Sequence, residues 1–215
     1  MIKTRKQLRE CLALDSMNYA KRNKTWTKSF INDLVTNPIN DQKYIWNYIK
    51  ELRYNEFYFN NSLLLKSSHK SKAMQIFFML FLILSNWKLK KLAYKTGFQI
   101  PPNTVGPGLT IWHWGVIIVN PHAKIGRGCV LNPGVIIGHK EKGLAPHIGD
   151  NCFIGGGAKV IGDIKIGDNV IIAPNAVVVK DVPDNAVVGG VPAKIIKFKD
   201  DSTSQYCVKL IFNRL

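Results

Sequence analysis

Aliphatic residues recur every six positions through much of the second half of the chain, and few folds tolerate that period. Ile125, Leu131 and Ile137 begin the series; after one interruption Ile148, Ile154, Val160, Ile166, Ile172 and Val178 continue it. Four residues after most of them stands a small or β-branched residue: Cys129, Val135, Cys152, Ala158, Ile164, Val170, Ala176 and Val182. A strand repeats every second residue and a helix every 3.6, so neither alone gives this spacing. Short strands wrapped around a triangular prism do give it, with one corner turned per hexapeptide. The aliphatic side chain fills a narrow prism, the next inward position is small, and Gly, Asn or Asp turns the corner, as in Ile148-Gly-Asp-Asn and Ile166-Gly-Asp-Asn. One repeat buries nothing; a stack of them builds a continuous core. The pattern predicts a mainly β domain over residues 98–198, a left-handed parallel β-helix of hexapeptide repeats.

Residues 1–97 have a different texture. They contain one proline, Pro38, and their apolar residues recur at helical spacing, as in Tyr44, Trp46, Tyr48, Ile49 and Leu52. An α-helical N-terminal region is expected, broken around Asn37-Pro38 and stopped at Gly97. Residues 199–215 form a C-terminal tail. The helical region is also the basic part, with 18 Lys/Arg against 6 Asp/Glu, or +12 of the chain's formal +16. Such charge favours anionic partners, but no nucleic-acid-binding signature accompanies it. Its one long apolar run, Ile76–Leu84, is flanked by Lys70, Lys72, Lys88, Lys90 and Lys91. Nine residues cannot cross a bilayer. A helix buried against the β-helix or its symmetry mates is the favoured reading, and peripheral contact with an anionic membrane the second. The four cysteines are far apart and without a CxxC pair, and no apolar leader follows the N-terminus, so a cytoplasmic location is expected, with the inner face of the membrane as its second form.

Two interruptions of the hexad period point to function, because chemistry tends to sit where a rigid scaffold is broken. Ile111 and Val119 are eight residues apart, with Trp112-His113-Trp114 between them. Ile137 and Ile148 are eleven apart, which predicts an extruded loop within His139–His147.

The stretch Leu109–Val191, with its closing Val178-Val-Val-Lys-Asp-Val-Pro and Gly189-Gly-Val-Pro-Ala-Lys, resembles the serine acetyltransferase-like hexapeptide acyltransferases, and within them the capsular and exopolysaccharide O-acetyltransferase branch. The resemblance covers about half of the chain. It implies acetyl-CoA as acyl donor, a homotrimer, and active sites built between neighbouring β-helices. It also implies a catalytic role for His113. Histidine suits the task because an imidazole titrates near neutrality and can take the proton of an attacking hydroxyl. Backbone N–H groups would hold the oxyanion, with Gly138 as the proposed donor. Gly156, Gly157, Ala158 and Ala173 are expected to let the pantetheine arm approach the backbone, and Lys180, Lys194 and Lys197 to meet its phosphates.

Departures from the family pattern shape the choice of acceptor. The position of the aspartate that orients the family's histidine is here Phe98, and a second family histidine aligns with Ala145. His139 and His147 are the available substitutes. These changes favour a sugar or cell-surface glycan hydroxyl as acceptor. Serine, in cysteine biosynthesis, is the alternative, and a non-catalytic assembly module is the alternative of another class. No metal is expected, since the histidines lack the spacing of a zinc site.

Overall fold

A computed structural model describes residues 1–17, 19, 42–66, 72–141 and 143–199. The expected break at Asn37-Pro38, Cys207 and the tail beyond Lys199 lie outside the described residues. The chain divides into two compact units, Met1–Thr96 and Gly97–Leu215.

The first unit is helical. Helix α1 spans Arg5–Ser16 and opens on a capping box: the Gln7 N–H donates to Thr4 Oγ1 while the Thr4 N–H donates to Gln7 Oε1. Helices α2 (Gln42–Lys66) and α3 (Lys72–Thr96) follow. Ile45, Ile49 and Leu52 are fully buried on α2. Beside them Arg53 reaches Asp15 of α1 at 2.7 Å and Glu56 at 3.1 Å, with all three side chains out of water. Burial alone would lower the Arg53 pKa, but the Glu56 and Asp15 carboxylates overcome it and raise the pKa. Asn55 Nδ2 donates to Asn86 Oδ1 at 2.8 Å, and Ser85 Oγ donates to Glu51 Oε1 at 2.8 Å, which ties α2 to α3.

Within one chain, helix α3 is covered along one face. Its least exposed positions are Gln75, Phe78, Leu82, Ser85, Leu89, Leu92, Ala93 and Thr96, a stripe spaced mostly three and four apart. Phe78 packs edge-on against Phe57 of α2, with ring centroids 6.0 Å apart. One stripe covers only one face, whereas the run Ile76–Leu84 is apolar all round. Ile76, Leu80, Ile83 and Leu84 therefore remain more than half exposed. The helix ends at Thr96, and Gly97 follows at φ +80°, a left-handed conformation suited to glycine.

The second unit is a parallel β-helix. Its first coil contributes β1 (Phe98–Gln99) and β2 (Thr110–Ile111), and the second β3 (Ile117–Val119), β4 (Lys124–Ile125) and β5 (Val130–Leu131). The third holds β6 (Ile136–Gly138), β7 (His147–Ile148) and β8 (Phe153–Ile154), and the fourth β9 (Lys159–Ile161), β10 (Lys165–Ile166) and β11 (Ile171–Ile172). Then come β12 (Val177–Val178), β13 (Ala186–Gly190) and β14 (Ala193–Phe198), the last folding back antiparallel on β13. Three sheets result, in the orders β1-β3-β6-β9-β12, β4-β7-β10 and β2-β5-β8-β11-β13-β14. They are called here the first, second and third walls.

Both inward columns read from the hexads are buried. None of the nine aliphatics from Ile125 to Val178, nor of the eight smaller residues from Cys129 to Val182, exceeds 7% exposure. The corner between the second and third walls shows why its residues are what they are. Gly128, Asn151, Asn169 and Asn185 occupy equivalent positions with φ of 66°, 55°, 58° and 59°. Only glycine and asparagine take up that conformation readily. At the same corner Arg127 N–H donates to Asp150, Asp150 N–H to Asp168 and Asp168 N–H to Asp184, at 2.7, 2.7 and 2.8 Å. Each aspartate thus satisfies a backbone donor of the coil before it. Cys129 and Cys152 stack inside this corner as free thiols.

Candidate functional site

The first break in the period lies at the corner between the third and first walls. Ile118 pairs with Ile136. Residues 112–117 therefore occupy a turn for which the next coil has only 132–135, and the two extra residues bulge outward. His113 is exposed on this bulge, between half-exposed Trp112 and Trp114. The backbone beneath it is clamped from both sides. Gly115 sits at φ +143°, and a Cβ there would lie 3.0 Å from Pro133 Cβ. A Cβ on Gly97 would in turn lie 3.0 Å from the Gly115 carbonyl. The Gly134 N–H closes the stack by donating to the Val116 carbonyl at 2.6 Å. Glycine at 115 is thus a requirement of the bulge, and the bulge is what presents His113.

The same corner carries Gly156, Gly157 and Ala173 on the following coils. Gly157 N–H donates to Pro133 O, and Asn175 N–H to Gly156 O, both at 2.9 Å. The two glycines differ in kind. Gly157 has φ +74°, and a Cβ on it would run into Asn175 Oδ1, so the corner itself demands glycine. Gly156 has no such φ, and its Cβ would meet nothing closer than Pro133 O at 3.4 Å. Gly156 therefore offers open backbone that the fold does not require. Ala173 is half-buried beside it, its N–H donating to Val188 O at 2.8 Å. Ala158, one residue after Gly157, turns inward. Its side chain is fully buried in the prism, its N–H donates to Gly155 O at 3.1 Å, and its carbonyl accepts from Ile136 N–H at 3.0 Å.

Sequence reasoning missed two residues at this corner. Lys159 Nζ donates to the carbonyls of Gly134 and Gly157, each at 2.7 Å, which sets an ammonium group beside the corner. Asn132 Nδ2 donates to Ile154 O at 2.9 Å and braces the turn on the coil after His113. A polar residue two positions from a corner glycine, Gly157 for Lys159 and Gly134 for Asn132, was the available signal for both.

The extruded loop leaves from the corner between the first and second walls. Gly138 is the last residue of β6, with its carbonyl accepting from Gly162 N–H at 3.1 Å. His139 follows and meets Asn120 of the coil before, with 2.6 Å between Asn120 Nδ2 and His139 Nδ1. Asn120 Oδ1 accepts from the His122 N–H at 2.9 Å. A backbone N–H can only donate, so the oxygen of the amide is fixed and its nitrogen faces His139. His139 Nδ1 is then an acceptor, and the proton of the neutral ring sits on Nε2. In this arrangement Nε2–H is the donor that His139 can offer.

His147 stands on the outer face of the second wall, in register with Lys124 and Lys165. Ala145 is buried at the foot of the loop, so the position that aligns with the family's second histidine points inward here. Phe98 is likewise fully buried on β1, and its outward neighbour is Gln99. Lys194 and Lys197 are exposed on β14 at the end of the third wall, while Lys180 is exposed after β12 at the other corner. One chain therefore spreads the expected residues over two corners. His113, Gly156, Gly157 and Ala173 share one; Gly138, His139 and Lys180 share the other.

Comparison with known proteins agrees with this architecture. Residues 145–180 match the bacterial transferase hexapeptide family of six repeats. The chain is 37% identical over 105 residues to a serine acetyltransferase of Synechococcus elongatus, covering 47% of the chain and 43% of that protein. It is 41% identical over 106 residues to the serine acetyltransferase of Staphylococcus aureus, covering 47% and 50%. The chain thus spans about half the length of these relatives. Among solved structures it resembles the serine acetyltransferase of Neisseria gonorrhoeae in complex with serine, with a TM-score of 0.58 and 26% identity over 90% of this chain and 70% of that one. A serine acetyltransferase in complex with CoA shares the fold, at a TM-score of 0.63 and 21% identity, covering 89% and 71%.

Proposed function

We propose that this hexapeptide-repeat β-helix is an acetyl-CoA-dependent O-acetyltransferase in which His113 is the general base. The observation that carries the reading is the two-residue bulge that lifts His113 out of an otherwise regular corner, above the open backbone of Gly156. His113 takes the proton of an acceptor hydroxyl as its oxygen attacks the thioester carbonyl of acetyl-CoA. The tetrahedral intermediate collapses, the carbon–sulfur bond breaks, and the thiolate of CoA recovers the proton from the imidazolium. His139, with Nε2–H available, and backbone N–H groups near Gly138 supply donors to the oxyanion or the acceptor. The family resemblance implies a homotrimer, in which the complete site is assembled from His113 of one chain and the loop corner of another; the placement of these residues on different edges of one prism fits that assembly. Lys180, Lys194 and Lys197 face the CoA phosphates in that assembly.

The acceptor reading changes from the one favoured by the sequence. The relatives are serine acetyltransferases, and one of the solved structures it resembles holds serine. Serine is therefore the acceptor we infer first. A sugar or glycan hydroxyl is the second reading, supported by one observation: the buried Ala145 stands where the family's second histidine aligns. We place the reaction in the cytoplasm, with the inner face of the membrane as the second form of that reading. Thiol release from acetyl-CoA tests the scheme with serine, sugar nucleotides and capsular oligosaccharides as acceptors. Release with serine and a loss of roughly 10²–10⁴ in rate for His113→Ala are expected. A folded His113→Ala protein of full activity overturns the mechanism, and release with sugars alone overturns the serine reading.

A further inference from the structure

The outer face of α3 is apolar over its first turns and cationic over its last. Met74, Ile76, Phe77, Met79, Leu80, Ile83, Leu84 and Trp87 are each 45–60% exposed. Lys72 precedes them and Lys88, Lys90, Lys91 and Lys95 follow, and the helix carries no Asp or Glu. At the boundary Lys91 Nζ lies 3.8 Å above the Trp87 ring, and Tyr94 is 79% exposed one turn further on. A patch of this kind marks a contact with another protein or with lipid.

The charges decide between them. A second copy laid on the same face would bring five more lysines and no carboxylate, so that parallel packing opposes like charges and antiparallel packing sets ammonium groups on apolar side chains. An anionic bilayer surface satisfies both halves of the helix: acyl chains receive the apolar turns, and headgroup phosphates receive the lysines. Trp87 and Tyr94 stand at the junction, where aromatic rings favour the interface. The exposed apolar stretch, residues 74–87, is roughly 20 Å long at 1.5 Å per residue, short of the roughly 30 Å hydrocarbon core. Among the described residues no helix is long and apolar enough to cross a membrane. The helix therefore lies in the interface.

We propose that the lysine-bounded apolar face of α3 docks the protein on an anionic lipid surface. The inference is independent of acetyl transfer. The full chain is sedimented with vesicles of phosphatidylcholine alone and of phosphatidylcholine mixed with phosphatidylglycerol, at physiological salt. Binding to the mixed vesicles and little to the neutral ones is expected. Leu80→Asp combined with Ile83→Asp should abolish binding, and Lys88→Glu with Lys90→Glu and Lys91→Glu should weaken it by at least about tenfold. All these side chains face solvent, and circular dichroism verifies that the variants keep their helices. Failure to bind phosphatidylglycerol vesicles, or binding that survives Leu80→Asp/Ile83→Asp, overturns the proposal. A dimer in sedimentation velocity that Leu80→Asp/Ile83→Asp dissociates, with no lipid binding, overturns it in favour of an interface between copies.

Discussion

Gly156 and Gly157 are adjacent, yet an added methyl group should do opposite things at the two positions. At Gly157 the φ of +74° places an alanine in the left-handed region, which costs about 1–2 kcal/mol for a residue with a Cβ. The new Cβ would also strike Asn175 Oδ1, and Asn175 is itself held at φ +58° on the next coil. For a unit of roughly 100 residues, each kcal/mol moves the melting temperature by about 4–8 °C. Gly157→Ala should therefore melt at least about 4–8 °C lower. Gly156→Ala has no strained φ, and its Cβ would rest at ordinary distance, 3.4 Å, from Pro133 O. Loss of glycine freedom in the unfolded chain then raises stability by about 0.4–1 kcal/mol. The same methyl narrows the open backbone on the His113 corner, so KM for acetyl-CoA should rise about tenfold at nearly constant kcat, and further for Gly156→Val. Differential scanning fluorimetry and thiol-release kinetics read both effects. A Gly157→Ala protein as stable as the parent refutes the argument from the corner. A folded Gly156→Val protein with unchanged KM refutes the placement of the donor.

Asn120→Asp should reverse the tautomer of His139, because a carboxylate accepts from Nδ1–H where the amide donated to Nδ1; nitrogen-15 shifts of the ring report it, and an unchanged Nε2–H form refutes the assignment. Arg53→Met leaves Asp15 and Glu56 buried without their cation and should cost about 3–5 kcal/mol in urea unfolding followed by helical circular dichroism; a loss under 1 kcal/mol would show that water reaches the carboxylates. Burial pushes the Cys11 thiol up to about 12, so at pH 8 about one molecule in 10⁴ carries the thiolate there. In Cys129 a hydrogen bond with Cys152 and burial act in the same direction. Iodoacetamide at pH 8 should spare both until the protein unfolds, and peptide mapping that finds either modified in the native state counts against the packing. Because the folded pKa of Cys11 lies above its unfolded value, its contribution to stability is intact below about pH 9 and is lost as pH rises towards 12.

The β-helix was legible in the sequence because a prism constrains every coil alike. Ile154 and Ile172 fill one column, Cys129 and Cys152 another, and the turn residues Asn151 and Asn169 repeat at the same interval. The two breaks were legible for the same reason, as departures from a strict period. What the period could not reveal was the direction of individual side chains near the breaks. Ala158 fits two sequence readings, small inward residue and cofactor contact, and the burial of its methyl group selects the first. Asn120 and His139 meet across 19 residues through a hydrogen bond between corners of successive coils, which no local pattern announces. The long apolar run of helix α3 says that its faces need partners without naming them. Hydrophobicity predicts burial only if there is a partner for each face, and α2 supplies a partner for one.

Stacked coils also make the molecule a ruler. Neighbouring strands of a wall are roughly 4.8 Å apart, so the His113 bulge, the Pro133 turn, the Gly156 turn and Ala173 mark off one edge in equal steps. With acetyl-CoA lying along this edge as proposed, the reach from thioester to the far end of the donor would be set by a whole number of coils rather than by any single side chain. Duplicating one coil between Gly134 and Gly157 would lengthen that reach by one step while every corner kept its neighbours. Length along this edge can change only in such quanta.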